Sequence, residues 1–421
     1  LKAAGLTVAA LGGFQYLNFY LPTTLQAGNT MLMVTGTAST VNVGIAGSSS
    51  LLGVGDTVTL IHAAGTLDAT GINAAANGAG LQGVTLAYQF ALAADATDLA
   101  ATVTGIGISE GAKALSEGYL AGMAGLDRGS DLVSGAGMAN AVAAADAGRS
   151  AFVAVSGSSV RSETGSHVDL DQGGLMAGVV QRVDLSAGRL TAGAFAEFGG
   201  GSYDTGNATS SGLVRGSGDV HNLGGGLVGH MDFRPLGHGH VYAEAATRVG
   251  MAYNSFDSND LTSLSGIAAR YDASSAYYGV SAAIGYVWNL NATASLDVYG
   301  KYFQTRLNGD SVRLSTGETV DFDDIDSQRT RVGARLSYAL ADHVTPYVGM
   351  AWEHEFDGES RATTNGYSLA APTLQGDTGI AEIGLTMTPS ATMPLQVDIG
   401  LQGFLGRNQG VAGNLRATLA F

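Results

Sequence analysis

Three short stretches carry residue types that could do chemistry. Gly237–His240 (GHGH) sets two of the eight histidines beside a turn. A metal centre needs three or four ligands in fixed geometry, and a chain with no cysteine and no HExxH stretch offers no such set. GHGH therefore reads as a solvated turn. Thr164–Asp169 (TGSHVD) puts Ser166 next to His167, but adjacent side chains cannot present a nucleophile and its base as a triad does. Glu353, His354 and Glu355 lie on an alternating stretch, where neighbours point to opposite faces. Glu353 is expected inward and His354 outward, which separates acid from base. Gly129–Leu132 (GSDL) only scrambles an esterase motif, and Gly224–Gly229 (GGGLVG) sits mid-strand, where glycines make room for twist or for a threaded chain. No catalytic, cofactor-binding or metal-binding residue is assigned, and the chain is not read as an enzyme.

Composition narrows the classes. The chain has 421 residues, 45% hydrophobic and only 13% charged, without a run of about 18 apolar residues that would make a membrane-spanning helix. Its 63 glycines, 16 tyrosines and many short alternating segments indicate an all-β protein. The absence of cysteine excludes disulfides and thiolate metal sites and suits an oxidising envelope compartment. A net charge of −16 excludes nucleic acid as a partner. The acidic clumps Asp321–Gln328 and Glu353–Ser360 read as solvated loops. The opening LKAAGLTVAALGG lacks a basic run and a small-x-small cleavage site, so an export signal is expected upstream of it.

Over residues 1–105 the stretches FQYLNFYLP, TMLMVTG, VNVGIAG, TVTLIHA, VTLAYQFAL and DATDLAATVTG predict strands between turn-forming clusters. The period then changes. Ala114, Leu120 and Leu126 mark a narrow apolar stripe, with Ser109 as a cap and Glu110 favourable at a helix start, which predicts a helix over 109–127. Residues 133–149 predict a small-residue linker.

From about residue 150 the pattern predicts twelve strands, near 150–160, 169–182, 188–202, 217–231, 239–253, 275–289, 293–307, 328–341, 344–357, 376–388, 393–405 and 410–421. Each is close to the length that crosses a bilayer at a tilt. Tyr278, Val280, Ile284, Tyr286 and Trp288 share one face, while charges such as Glu244, Arg248, Lys301, Arg331, Arg335, Asp398 and Arg416 take the other. Connections alternate between short (SAG, FRPLG, LNA, ADH) and long (YDTGNATSSGLVRG, FDSNDLTSLSGIAARYDA and two more). That parity fits an outer-membrane barrel better than a soluble sandwich. Trp288 falls beside a short turn and Trp352 beside a long loop, so with Tyr278 and Tyr286 they predict aromatic girdles at two interfaces. The terminal LRATLAF alternates as well, and closing the barrel on the first strand would pair this tail.

Ala114–Leu132, Phe152–Asp171, the terminal LRATLAF and the upstream Leu17–Ala38 together resemble the autotransporters of type V secretion, with a C-terminal translocator. The resemblance implies a twelve-stranded antiparallel outer-membrane β-barrel (150–421), a pore-spanning α-helix with its linker (106–149), and the β-helix-like end of a passenger with its autochaperone (1–105). It implies export and surface display of that passenger, adhesive in the commonest case. It also implies assembly by the barrel-assembly machinery and periplasmic chaperones, which read Leu415, Leu419 and Phe421, and a monomer set in lipid and lipopolysaccharide. The helix residues Glu110, Lys113, Glu117, Leu120 and Leu126 would line its contact with the wall, and the inward bases Arg248, Lys301, Arg331, Arg335 and Arg416 would pair with its charges. Some members cut themselves at adjacent asparagines. Asn140 stands alone between 106 and 149, so no such cleavage is expected. A passive porin, a barrel hydrolase and a soluble adhesive β-protein are the alternatives.

Overall fold

The computed structural model describes the chain except residues 23, 41, 48–51, 71–77, 146–148, 264–265, 342, 388–394 and 420–421. Twelve antiparallel strands close into a barrel: β1 (Arg149–Glu163), β2 (His167–Leu185), β3 (Gly188–Thr209), β4 (Gly212–Phe233), β5 (Gly239–Thr262), β6 (Ala268–Asn289), β7 (Ala294–Leu307), β8 (Ile325–Tyr338), β9 (Val344–Glu355), β10 (Gly376–Met387), β11 (Leu395–Gly406) and β12 (Asn408–Leu419). Each falls where alternation predicts it. Closure sets β1 against β12, from Phe152 opposite Thr418 to Ser162 opposite Asn408, so neither end of the sheet is left as an edge.

The apolar face of this wall points out. Val280 is 50% and Ile284 63% exposed, and Val179, Leu227, Val249, Val348 and Leu401 stand outward in the same way. A soluble protein would bury such a band, whereas a barrel in lipid displays it. Tyr278 and Trp288 share the outward face of β6. At ~3.4 Å per residue and a tilt of roughly 40° they stand about 26 Å apart along the axis, which is the height of an apolar band. Inside, Tyr242 lies directly opposite Gly285, Tyr299 opposite Gly333 and Tyr347 opposite Gly384, and each ring covers its glycine so closely that a Cβ would run into it. Such ring-over-glycine pairs fix register.

Two expectations change. The long connections predicted after β3 and β5 are mostly strand: Thr209 and Gly212 flank a two-residue turn, and β3 to β6 run for 22, 22, 24 and 22 residues. A polar, alternating sequence keeps its ladder in water as long as a paired neighbour continues it, so the wall rises beyond the membrane instead of ending in loops. On the other side β7 to β12 run for only 12 or 14 residues. There the two remaining long connections fold into a four-stranded sheet (Asp310–Arg313, Thr319–Phe322, Ala362–Thr364, Tyr367–Ser368) at the long-loop end of the barrel.

The helix is also longer than its apolar stripe predicts. A tight turn at Glu110–Ala112 leads into α1 (Lys113–Leu132), a widened turn at Val133–Gly137, and α2 (Met138–Ala145). The predicted linker is thus helical to Ala145, with a kink at Gly135 (φ −106°, ψ −105°). Its alanines are strong helix formers that carry no periodicity to read. Ser109 makes no side-chain capping bond. Its carbonyl accepts the Ala112 N–H instead, and the Glu110 carboxylate accepts the N–H of Ser210 on the wall.

Residues before the helix form a parallel solenoid. Leu6 lies opposite Leu32 and Leu32 opposite Ile61, while Leu17–Leu21 pairs with Val43–Gly47 and Ala38–Ser39 with Leu67–Asp68. An antiparallel hairpin, Leu86–Ala94 against Asp98–Ile108, ends the stack and leads into the helix. Phe19, Leu21, Met31, Leu60 and Phe90 fill the solenoid core.

Candidate functional site: the helix in the bore

The site is the contact between the helix and the inner wall. Wall side chains donate to backbone carbonyls along the helix. The Tyr271 hydroxyl reaches Leu115 O (2.9 Å), Asn254 Nδ2 reaches Gly118 O (2.6 Å) and Gln172 Nε2 reaches Gly125 O (3.1 Å). Arg248 Nη1 reaches Leu126 O (3.0 Å), Arg329 Nη2 reaches Asp127 O (3.2 Å) and Lys301 Nζ reaches Ser134 O (2.5 Å). A helix carbonyl has a second lone pair to offer, so the ladder inside the helix is kept. Small residues allow this approach. Gly118, Gly122, Gly125 and Gly129 face Phe256, Asn254, Gln172 and Arg248, and a Cβ on Gly118 or Gly129 would collide with its neighbour.

Ion pairs hold the middle of the helix. Arg329, 2% exposed, places Nη1 3.1 Å from Asp131 and 3.3 Å from Glu353, with Nη2 3.4 Å from Asp127. Arg331 lies 2.7 Å from Asp131 and 2.6 Å from Glu353. Both guanidinium groups sit over the Phe303 ring. The Ser327 hydroxyl lies between Glu355 (2.6 Å) and Asp127 (3.1 Å). In a bore screened from bulk water such pairs are costly to leave incomplete.

The predicted partners are redistributed. Of the inward bases, only Arg331 meets a helix charge, and that charge is Asp131. Arg248 pairs with Glu197 (3.0 Å), Lys301 with Glu244 (3.5 Å), Arg335 with Glu382 (2.6 Å) and Arg416 with Asp398 (2.8 Å). Glu110, Lys113 and Glu117 are satisfied at the long-loop end instead. Lys113 Nζ donates to Ser166 (2.9 Å), and buried Glu117 accepts from Thr164 (2.8 Å), Ser166 and Asn207. Every inward base has a wall carboxylate one or two strands away, which takes its charge, while Arg248 and Lys301 reach the helix through its backbone carbonyls. Asp127, Asp131 and Arg329 are not singled out by the sequence pattern, and Glu355, weighed there only beside His354, accepts from Ser327 in the bore. The signal that could have found them is a helix with acids at 127 and 131, one turn apart, beside a wall strand with arginines at 329 and 331. TGSHVD, read as a plain loop, supplies two hydroxyls to Glu117.

The other predicted positions are placed as follows. Leu120 and Leu126 are buried against the wall. Tyr278, Trp288 and Trp352 stand outward, and half-buried Tyr286 donates to Leu236 O (2.8 Å). Leu415 faces outward on β12; Leu419 ends that strand, and Phe421 lies outside the described residues. Glu353 points in and His354 out, the latter 2.7 Å from Asp377. His240 of GHGH lies 3.3 Å from Asp232. Among the described residues no cluster of His, Asp and Glu could hold a metal ion.

The helix does not fill the bore evenly. It leans on β2 to β5. Towards the turn end it leaves an open-mouthed cleft of about 760 Å³ against β8 to β12 and β1, lined by Arg331, Arg335, Glu382, Asp398 and Arg416 among others. At the long-loop end Phe322 stacks on Tyr119 of the helix (4.3 Å), and Tyr271 and Phe256 continue the stack.

Residues 151–400 match the family model of the autotransporter beta-domain. The chain belongs to the autotransporter family. Solved translocators share its fold. The transport unit of the autotransporter AIDA-I of Escherichia coli is 15% identical, with 65% of this chain and 90% of that one covered and a TM-score of 0.50. The beta domain of the Bordetella autotransporter Brka is 16% identical, covering 65% and 100% at 0.51. The translocator domain of NalP of Neisseria meningitidis is 14% identical, covering 74% and 100% at 0.54. No curated protein matches. This autotransporter is thus an outer-membrane barrel with one helix through its bore; by the rule that such barrels carry short turns on the periplasmic side and longer loops outside, its long-loop end is the outer end and its turn end the periplasmic one.

Proposed function

We propose that this autotransporter exports the polypeptide joined to its helix and displays it on the cell surface. The observation that supports this reading most directly is the row of wall donors bonded to helix carbonyls. A channel for small solutes has no use for donors spaced along a peptide backbone. A conduit for polypeptide does, because carbonyls are the one feature every sequence offers. Residues 1–105 then form the end of the passenger and its autochaperone, 106–149 the pore segment, and 150–421 the translocator. The barrel transforms no small molecule. It is assembled by the barrel-assembly machinery with periplasmic chaperones, which read Leu415, Leu419 and Phe421, and it works as a monomer among lipid and lipopolysaccharide.

The test is protease applied to intact cells expressing the chain. Residues 1–105 are expected to be lost while a fragment containing the barrel is kept. A solenoid that is digested only after the outer membrane is broken would overturn the proposal.

A further inference from the structure

Asn140, noted above only for lacking an asparagine neighbour, occupies a specific place. It is 1% exposed, on α2, and faces the junction where the barrel closes. Its Nδ2 donates to Val153 O on β1 (2.6 Å) and to Ala417 O on β12 (3.1 Å). Its Oδ1 accepts from the Thr418 hydroxyl, also on β12. Val153 and Ala417 are paired across the seam, so one amide side chain spans a directly opposed pair of first and last strands. The surrounding contacts are apolar: Met138, Ala141, Ala144 and Ala145 pack with Phe152 and Ala154 of β1. Among the described residues no other pairing of the wall joins strands so distant in sequence.

We infer that Asn140 is a clasp on the barrel seam, so that seating of α2 and closure of β1 against β12 stabilise each other. The amide can make all its bonds only when both strands are in register and the helix is home. Buried among apolar side chains, the amide has no water at hand to replace an acceptor it loses. Linkage makes the effect reciprocal: whatever loosens the helix must loosen the seam by the same factor, and the reverse. The clasp would thereby favour a sealed wall once the pore segment has reached its final position, and a looser one before. Asn140 is a positioning residue in this scheme and takes part in no bond cleavage.

The experiment is hydrogen–deuterium exchange on the full chain in lipid, comparing wild type with Asn140→Ala. Exchange at the seam segments 152–156 and 412–418 is expected to rise about tenfold, the factor that corresponds to about 1.4 kcal/mol, while the β2–β3 pairing at 177–181 and 192–196 stays unchanged. The chain has no cysteine, so a disulfide can be placed across the seam by Val155→Cys with Leu415→Cys, an opposed pair. With Asn140 in place this bridge should slow exchange at 138–145, and in the Asn140→Ala background the same bridge should leave 138–145 unprotected, which a purely local contact would not do. Should Asn140→Ala fail to assemble, Thr418→Val, which removes only the hydroxyl donor, is measured the same way and should raise seam exchange by a smaller factor. Faster exchange confined to α2, a bridge that protects α2 equally with and without Asn140 or in neither background, or a Thr418→Val seam as slow as wild type would each overturn the clasp.

Discussion

The outer and periplasmic halves of the bore hold the same helix by different means. In the outer half Tyr119, Phe322, Tyr271 and Phe256 stack around Gly118, Glu117 is enclosed by hydroxyls and an amide, and the wall of β3 to β6 rises high on one side. In the periplasmic half α2 is tied to β1 and β12 through Asn140, and a charged cleft opens beside the helix towards β8 to β11. Between them lies the network of Arg329, Arg331, Asp127, Asp131 and Glu353. The difference shows where specificity resides. A dry, packed half tolerates neither an added Cβ nor a missing charge, whereas a wet half lets water stand in for lost partners.

Mutations should separate the halves. The largest effect is expected at the boundary. Arg329→Met leaves Asp127, Asp131 and Glu353 short of a buried partner, a loss of about 3–5 kcal/mol, measured by urea unfolding in lipid vesicles. Next comes Gly118→Leu, which forces a side chain into Phe256 and the hydroxyls of Tyr203 and Tyr271. Overpacking of this kind costs roughly 1–3 kcal/mol, and faster amide exchange at 113–123 would report it. Arg335→Ala in the cleft should change stability by about 1 kcal/mol or less, because its side chain, paired with Glu382 and lying over the Tyr347 ring, remains one-third exposed. A loss at Arg335 as large as at Arg329 would erase the distinction between the halves.

The smallest effect is electrostatic and outside the membrane. Asp324, in the outer loops, is held below the usual carboxylate range by the Gly309 N–H and then by the Arg306 guanidinium. A depressed pKa contributes stability that is present above the unfolded value of about 3.9 and lost as pH falls through the folded value. Protection at 308–324, taken relative to the intrinsic exchange rate at each pH, should therefore fall below about pH 4, and Asp324→Asn should flatten that dependence.

Much of this was legible in the sequence because a barrel in lipid repeats one rule, apolar out and polar in, along every strand. Ile284 and Val280 against Ala283 and Ser281 declare the wall, and twelve such segments declare its size. Strand ends were less legible: Asp204, Ser217 and Asp257 look like loop residues, yet their ladder continues above the membrane. The helix beyond Leu132 was hidden because Ala141, Ala144 and Ala145 carry no periodic signal. The ion network was half visible. Arg331 and Glu353 were seen to point inward, but alternation along strands cannot say which helix residue lies at the same height. Asp131 meets Arg331 only through the depth at which α1 is seated, and that depth is set by the glycine contacts and the Phe322–Tyr119 stack.

Every contact between helix and wall requires the helix to lie inside the bore of the assembled protein. Ser130 Oγ lies 3.2 Å from Thr305 Oγ1 on β7, so Ser130→Cys with Thr305→Cys in this cysteine-free chain gives a direct reading in outer membranes of living cells. With the helix in the bore, the disulfide forms without added oxidant and leaves the solenoid accessible to protease outside. Two free thiols, both labelled readily by a water-soluble maleimide, would contradict it.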